Sequence, residues 1–221
     1  MRVMDEQEAY FNRQRQQMIE RQIRARGIRD KAILAALATV PREAFVPSEY
    51  QYAAYQDSPL PIPGRQTISQ PYVVALMMRA LRLQPDDCVL EVGSGSGYAT
   101  ALLSRIVREV HGVERREELV TYARERLQKL GYDNVHIHHG DGTMGWPPAA
   151  PYDAIMVSAS GPEVPPALRE QLAIGGRLAM PIGRASDLQS LLLVQRTGPD
   201  SFQHKDLGGV RFVPLIGEQG W

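Results

Sequence analysis

The run VLEVGSGSGYATALL, Val89 to Leu103, is a strand-like apolar stretch that stops at three glycines on alternate positions, Gly93, Gly95 and Gly97, and then resumes with helical spacing. Glycine reaches positive φ without strain and lets the backbone approach a ligand where any Cβ would clash. A glycine turn that follows a strand and opens a helix is the setting in which doubly wound sheets bind nucleotide-like ligands, in the crevice beyond the carboxyl ends of the strands. This reading predicts an α/β fold, and the flanking sequence can be tested against it.

Outward from the turn, strand and helix alternate. Upstream, QPYVVALMMRALRL reads as a helix with Ser69 as N-cap and Pro71 tolerated in its first turn. Seven strand-like runs follow: CVLEV, EVHGVE, VHIHHGD, YDAIMVSA, GRLAMPI, SLLLVQRT and VRFVPLI. Helical patterns separate several of them, at about 98–107, about 117–130 and PPALREQL. Alternation of this kind predicts a mostly parallel sheet with helices on both faces, and the last two runs, with no helix between them, predict an antiparallel edge. From Asp5 to Ala38, apolar residues at helical intervals (Met18, Ile19, Ile23, Ile33, Leu34, Leu37) predict two or three helices. Between Pro41 and Pro63 the chain is rich in proline and tyrosine and reads as an ordered loop over a binding site. The expected organisation is an N-terminal helical segment and loop, 1–65, packed on a catalytic domain, 66–221.

Composition narrows the function. With 221 residues and 43% hydrophobic content the chain can bury a substantial core. Lys plus Arg equals Asp plus Glu at 25 each, so no global field draws it to nucleic acid or anionic lipid, and neither is expected as a partner. Cys88 is the single cysteine, which rules out an intramolecular disulfide and zinc sites of the Cys-x-x-Cys kind. No apolar run reaches membrane-spanning length, and the charged start is unlike a signal peptide, so a cytoplasmic, soluble monomer is expected.

The ligand is read from spacing. Glu114 ends the second strand of the alternating region 21 positions after Gly93 (114 − 93), close to the interval at which an acid reaches ribose hydroxyls. A dinucleotide site wants G-x-G-x-x-G, but Tyr98 or Thr100 stands at the last position, depending on the frame. The turn, with Glu91 before it and Ser94 and Ser96 within it, suits a nucleoside with an amino-acid tail, S-adenosylmethionine. Asp141, followed by Gly142 in HGDG, is placed to meet an adenine edge. Ser69 offers a hydroxyl and, with neighbouring backbone N–H groups, an anion site at a helix N-terminus. His136, His138 and His139 share one short strand and lack a second chain segment, so they read as surface or packing residues; no metal site is expected. Cys88, Met77 and Met78 read as core.

Several motifs together, GRQTISQPYVVALM, VLEVGSGSGY, GDG, YDAIMVSASGPEVPPALREQLAIGGRLAMPIG and the ending VRFVPLIGEQGW, resemble the protein-L-isoaspartate O-methyltransferases from about Met18 to Trp221. The resemblance implies the class I methyltransferase fold, S-adenosyl-L-methionine as donor with S-adenosyl-L-homocysteine as product, and isoaspartyl residues of damaged proteins and peptides as acceptors. It also places Gln66, Thr67 and Ile68 over the cofactor and gives Ser69 the catalytic role of holding the acceptor carboxylate. Ser158 and Ala159 stand where nitrogen-methylating relatives carry an Asn-Pro-Pro-aromatic run and are assigned to the acceptor side. Val213 and Pro214, on a late edge strand, would pair with substrate backbone by strand addition. Two readings stay open beside this one, a small-molecule or nucleic-acid methyltransferase of the same fold and a cofactor-binding sensor without turnover.

Overall fold

A computed structural model describes residues 6–184 and 186–221; residues 1–5, which include the expected start of the N-terminal helices at Asp5, lie outside the described residues. Helix α1 (Glu6–Met18) widens into a π turn, Ile19–Ile23, and ends in a 3-10 turn at Gly27, whose φ of 89° reverses the chain. Helix α2 (Lys31–Thr39) is capped by Asp30, whose carboxylate accepts hydrogen bonds from the Ala32 and Ile33 N–H groups at 3.0 and 3.3 Å. All six apolar positions predicted for this region, Met18, Ile19, Ile23, Ile33, Leu34 and Leu37, are buried.

The proline-rich region folds into short 3-10 turns and a small antiparallel hairpin, β1 (Leu60–Ile62) and β2 (Gln66–Ile68), which alternation did not reveal because each strand is three residues long. The expected 65/66 division falls between these two strands. Beyond α3 (Pro71–Leu81) come β3 (Cys88–Val92), α4 (Tyr98–Ser104), β4 (Glu109–Glu114), α5 (Glu117–Lys129), β5 (Val135–His139), β6 (Tyr152–Val157), α6 (Pro166–Glu170), β7 (Leu172–Ile182), β8 (Gln189–Gly198) and β9 (Ser201–Val210). Strands β3 to β9 form one sheet in the order β5-β4-β3-β6-β7-β8-β9, parallel as far as β7 and antiparallel at β7-β8 and β8-β9. Among the described residues no helix is long and apolar enough to cross a membrane.

The two faces are covered unequally. Val89, Val110, Ala154 and Ala179 point into a large core shared with α2, α3, α4, α5 and the N-terminal turns. Leu90, Val113, Ile155 and Leu178, each an odd number of residues from its counterpart along the strand, point into a second core to which, among the described residues, α6 is the one α-helix that contributes. The connection from β5 to β6 contains 3-10 turns in place of an α-helix, so among the described residues no α-helix covers β4 and β5 on that second face. There the register pairs His111 with His136 and Cys88 with Glu109. The histidines of β5 therefore do meet a second chain segment, contrary to the reading from sequence, because the parallel register brings β4 alongside them. Burial pushes the Cys88 thiol up to about 11.

One predicted strand is displaced. VRFVPLI was expected to be the last strand, but β9 is the polar run SFQHKDLGGV, and 211–216 turns back over the carboxyl ends of the sheet. Its contact with the sheet region is a parallel bridge, with Ser160 N–H donating to the Val213 carbonyl and Leu215 N–H to the Ser160 carbonyl, both at 2.8 Å. Pro214 lacks an N–H and suits a crossing segment better than a ladder. Val213 and Pro214 thus do not lie on an edge strand, and strand addition at that position is withdrawn.

Because α2 shares the main core with the sheet, truncating Leu37, which is fully buried, is expected to destabilise the whole protein. Leu37→Ala should cost about 2–5 kcal/mol in a single cooperative urea transition. A biphasic transition would show that the N-terminal segment folds separately.

Candidate active site

The chain enters the sheet at β3, runs outward to β4 and β5, and returns to β6 on the other side of β3, so the strand order reverses between β3 and β6. A crevice opens at such a switch point beyond the strand ends, and the glycine turn occupies it. Gly93, Gly95 and Gly97 have φ of 79°, 53° and 88°, a region costly for residues with a Cβ. A Cβ on Gly97 would stand 3.1 Å from Leu127 Cδ1 and 3.3 Å from Ala123 Cβ. The turn is thus seated against α5, and its other side is left open to a cleft of about 270 Å³. Gln66, Thr67, Gly93, Gly95, Glu114, Gly142, Ser158, Ala159, Val213 and Pro214, all singled out from sequence, line this cleft.

The acids divide into different tasks. Glu114 is buried; its carboxylate accepts from Gly95 N–H at 3.1 Å and from Arg116 N–H at 2.9 Å, and it faces the cleft. Each oxygen retains a lone pair for a further donor. Asp141 does not line the cleft although Gly142 does. Its carboxylate accepts from Thr143 N–H and Oγ1 and, at 2.7 Å, from Glu218 N–H, tying the C-terminal segment to the end of β5. Burial works to raise its pKa, and these hydrogen bonds outweigh burial and lower it.

A second cavity, about 660 Å³, adjoins the first, and Thr67, Ser158, Val213 and Pro214 line both. Ser69 lines it together with Pro59, Tyr72, Leu76, Leu188 and Phe212, and its charged lining residues are Arg26 and Arg211. Ser69 is not the cap of α3. That position is Gln70, with Pro71 opening the helix. The first N–H groups of α3 are also occupied: Tyr72 N–H donates to Asp57 at 3.3 Å and Val73 N–H to the Gln70 carbonyl at 3.1 Å. What Ser69 presents to the cavity is its own hydroxyl, and the expected contribution of neighbouring helix N–H groups falls away. Ile68, Ser94 and Ser96 lie with Ser69 around a small pocket of about 40 Å³ at the inner end of the turn, which Glu91 also lines. The hydroxyl of Ser94 is buried there without a hydrogen-bond partner among the described residues.

Residues 13–220 match the family described as Protein-L-isoaspartate(D-aspartate) O-methyltransferase (PCMT). The chain belongs to the protein-L-isoaspartate O-methyltransferase family. Protein-L-isoaspartate O-methyltransferase 2 of Pelobacter propionicus is 58% identical over 207 residues, covering 94% of this chain and 92% of the relative. A family member from Rhodopseudomonas palustris is 54% identical over 204 residues, covering 92% and 94%. A solved protein-L-isoaspartate O-methyltransferase structure superposes with a TM-score of 0.83 at 31% identity, over 93% of this chain and 67% of that one. Another, described as a "beta-aspartate methyltransferase (PCMT) from Plasmodium falciparum in complex with S-adenosyl-L-homocysteine", gives 0.79 at 27% identity over 93% and 98%.

Within the protein-L-isoaspartate O-methyltransferase fold, three features of this site escaped sequence reasoning. Arg65, Arg115 and Arg116 line the cleft; two of them follow Glu114 directly, a signal that was present but unread. Asp57 accepts from Gln70 Nε2 and Arg26 Nη1, each at 2.8 Å, besides Tyr72 N–H, and so fixes the start of α3 from 14 residues upstream (71 − 57). Gln189 holds the crossing segment through Phe212, its side chain accepting from Phe212 N–H at 2.7 Å and donating to the Phe212 carbonyl at 3.0 Å. Nothing local marks Asp57 or Gln189, because their partners are distant in sequence.

Glu91 is fully buried beneath the turn, accepting from Thr100 Oγ1 and, at 3.3 Å, from Ser158 Oγ. Burial pushes its pKa up to about 7, although these hydrogen bonds pull the other way. The folded state therefore holds this proton more tightly than the unfolded chain does. Stability contributed at low pH is lost as pH rises from the ordinary glutamate range to about 7, by up to about 3 kcal/mol. Urea unfolding at pH 5 and pH 8 should show this loss in the wild type and a smaller one in Glu91→Gln. An identical loss in both proteins would remove Glu91 as its source.

Proposed function

We propose that this chain transfers the methyl group of S-adenosyl-L-methionine to the free α-carboxylate of L-isoaspartyl residues in damaged proteins and peptides. The methyl ester then closes spontaneously to a succinimide, whose partial hydrolysis to normal aspartate constitutes repair. Family membership supports the reaction. The structural observation that carries it is the common wall of Thr67, Ser158, Val213 and Pro214 between a cleft suited to a nucleoside and a cavity whose charged lining residues are arginines.

The residues of the cleft fit the cofactor. The positive-φ glycines leave room at the switch point, and Glu114 offers free lone pairs to a ribose diol. Gln66, Thr67 and Ile68 form the near edge of the hairpin above, with Gly93 to Gly97, Glu91 and Gly142 beneath, and Asp141 anchors the far end. When bound, S-adenosyl-L-methionine supplies an electrophilic methyl group on a sulfonium and leaves as S-adenosyl-L-homocysteine.

No general base is required of the protein. An α-carboxyl with an ordinary pKa of about 3.5 is ionised at neutral pH and already nucleophilic. The chain's task is to aim one carboxylate oxygen and to exclude water. Ser69 donates its hydroxyl to the carboxylate, Arg26 and Arg211 favour its negative charge, and Ser158, Ala159, Val213 and Pro214 bound the path to the methyl group. The described part of the N-terminal segment, from residue 6 to 65, packs on the transfer domain that begins at residue 66.

Two substitutions separate the roles. Glu114→Ala should weaken S-adenosyl-L-methionine binding by about 1.5–3 kcal/mol in calorimetry, since a charged acceptor and the anchor of Gly95 are both lost. Ser69→Ala should leave that affinity nearly intact and lower turnover about 10–10³-fold. The opposite pattern would exchange the two assignments.

The acceptor is tested by an isomeric pair. An aspartyl peptide and its isoaspartyl isomer have the same composition and charge and differ by one methylene moved from side chain to backbone. A site that fixes both the carboxylate and the flanking chain reads that move as misplacement of the nucleophile, which costs about 10²-fold or more. Rapid methylation of the isoaspartyl peptide alone, giving a base-labile ester, is expected. Equal methylation of both, or a base-stable product, would overturn the assignment.

A further inference from the structure

We propose that Glu109, His111 and His136, with Cys88 beneath them, form a binding site for a divalent d-block cation of the zinc class, separate from the methyl-transfer site. The site arises from register. Side chains alternate along a strand, and the pairs Cys88–Glu109 and His111–His136 put all four on the sheet face that no helix covers over β4 and β5. Cys88 and Glu109 begin their strands whereas Gly93 and Glu114 follow or end them, so the cluster sits at the opposite end of the sheet, about 16 Å of strand away.

The donor atoms converge. Glu109 Oε1 is 3.0 Å from His136 Nε2 and 3.5 Å from His111 Nε2. One ligand atom each from Cys88, Glu109 and His111 lie within 4.8 Å of one another. Donors on a tetrahedron at 2.0–2.1 Å from a metal stand about 3.3 Å apart, so the carboxylate already lies at about that spacing from each imidazole, and His136 completes the set by turning toward His111, whose ring centroid is 5.0 Å from its own. Thiol, imidazole and carboxylate together select zinc-like ions over magnesium or calcium, which favour oxygen alone.

The surroundings agree. His111 turns its other nitrogen, Nδ1, to His138 Nε2 at 3.0 Å, and His138 is held by stacking on Trp146 with ring centroids 3.9 Å apart. A metal-binding histidine is ordinarily oriented through its second nitrogen in this way. The side chains of His136 and Glu109 are 46% and 32% exposed, which gives an ion a path from solvent, while that of His111, at 10%, forms the floor. Binding would join the amino ends of β3, β4 and β5, with the Cys88 thiol proton released to solvent as the sulfur–metal bond forms.

The test is titration of tag-free, chelator-treated full-length protein with Co(II) chloride. One equivalent should bind, with the visible absorption of a tetrahedral site and a near-ultraviolet thiolate-to-metal band. Cys88→Ser should lose that band, and both Glu109→Gln and the exposed-site variant His136→Ala should weaken binding at least tenfold. His138→Gln, which alters only the orienting partner, should weaken it about tenfold. Zn(II) should displace Co(II) and raise the unfolding temperature of the wild type but not of His136→Ala. Absence of saturable binding, or binding unchanged by Glu109→Gln and His136→Ala, would overturn the proposal and leave a hydrogen-bonded histidine cluster in its place.

Discussion

The hydrogen bond from Gly95 N–H to the Glu114 carboxylate joins the ends of two parallel strands at the point where the sheet changes direction. It forms only if the turn after β3 adopts three left-handed glycine conformations in five residues, and those conformations in turn let α5 pack into the space a side chain at Gly97 would fill. A buried acid that stabilises the backbone turn and still keeps lone pairs for a ligand joins fold stability to ligand recognition. Replacing Glu114 removes the bond in a partly desolvated place, and replacing Gly95, at φ 53°, strains the turn that aims its N–H.

Around that fixed point the two walls of the larger cavity come from remote parts of the chain. Asp57 holds one wall by gripping Gln70, Tyr72 and Arg26. Gln189 and Ser160 hold the other by gripping the segment at Phe212 to Leu215. The first grip uses a carboxylate on two side chains and one backbone N–H; the second combines the Gln189 side-chain amide with the Ser160 backbone, and each satisfies irregular chain that cannot form ladders. Helices and strands provide the rigid base, and the loops they hold provide the site.

Sequence read well wherever the signal was local. Alternation along CVLEV, EVHGVE and YDAIMV, the glycines of the turn and the short interval to Glu114 are signals carried within one strand-helix-strand unit, and a mostly parallel sheet with an antiparallel edge followed from them. It read poorly where the partner was distant or the element atypical. The edge strand β9 is polar because most of its side chains on both faces are exposed, so the apolar VRFVPLI drew the assignment instead. Ser69 has a good capping residue's chemistry, but Asp57, arriving from upstream, supplies what a cap would. The meeting of His111 with His136 depends on register, which composition does not reveal.

The same four residues, Thr67, Ser158, Val213 and Pro214, face both cavities. A group that shifted Thr67 or Ser158 from one side would be felt on the other, and occupancy of the two compartments would then be thermodynamically linked. Such linkage is reciprocal: whatever factor a docked peptide imposes on affinity for the nucleoside, the nucleoside imposes on affinity for the peptide. The product nucleoside lacks the methyl group that the donor carries, so the two forms would meet that shared wall differently.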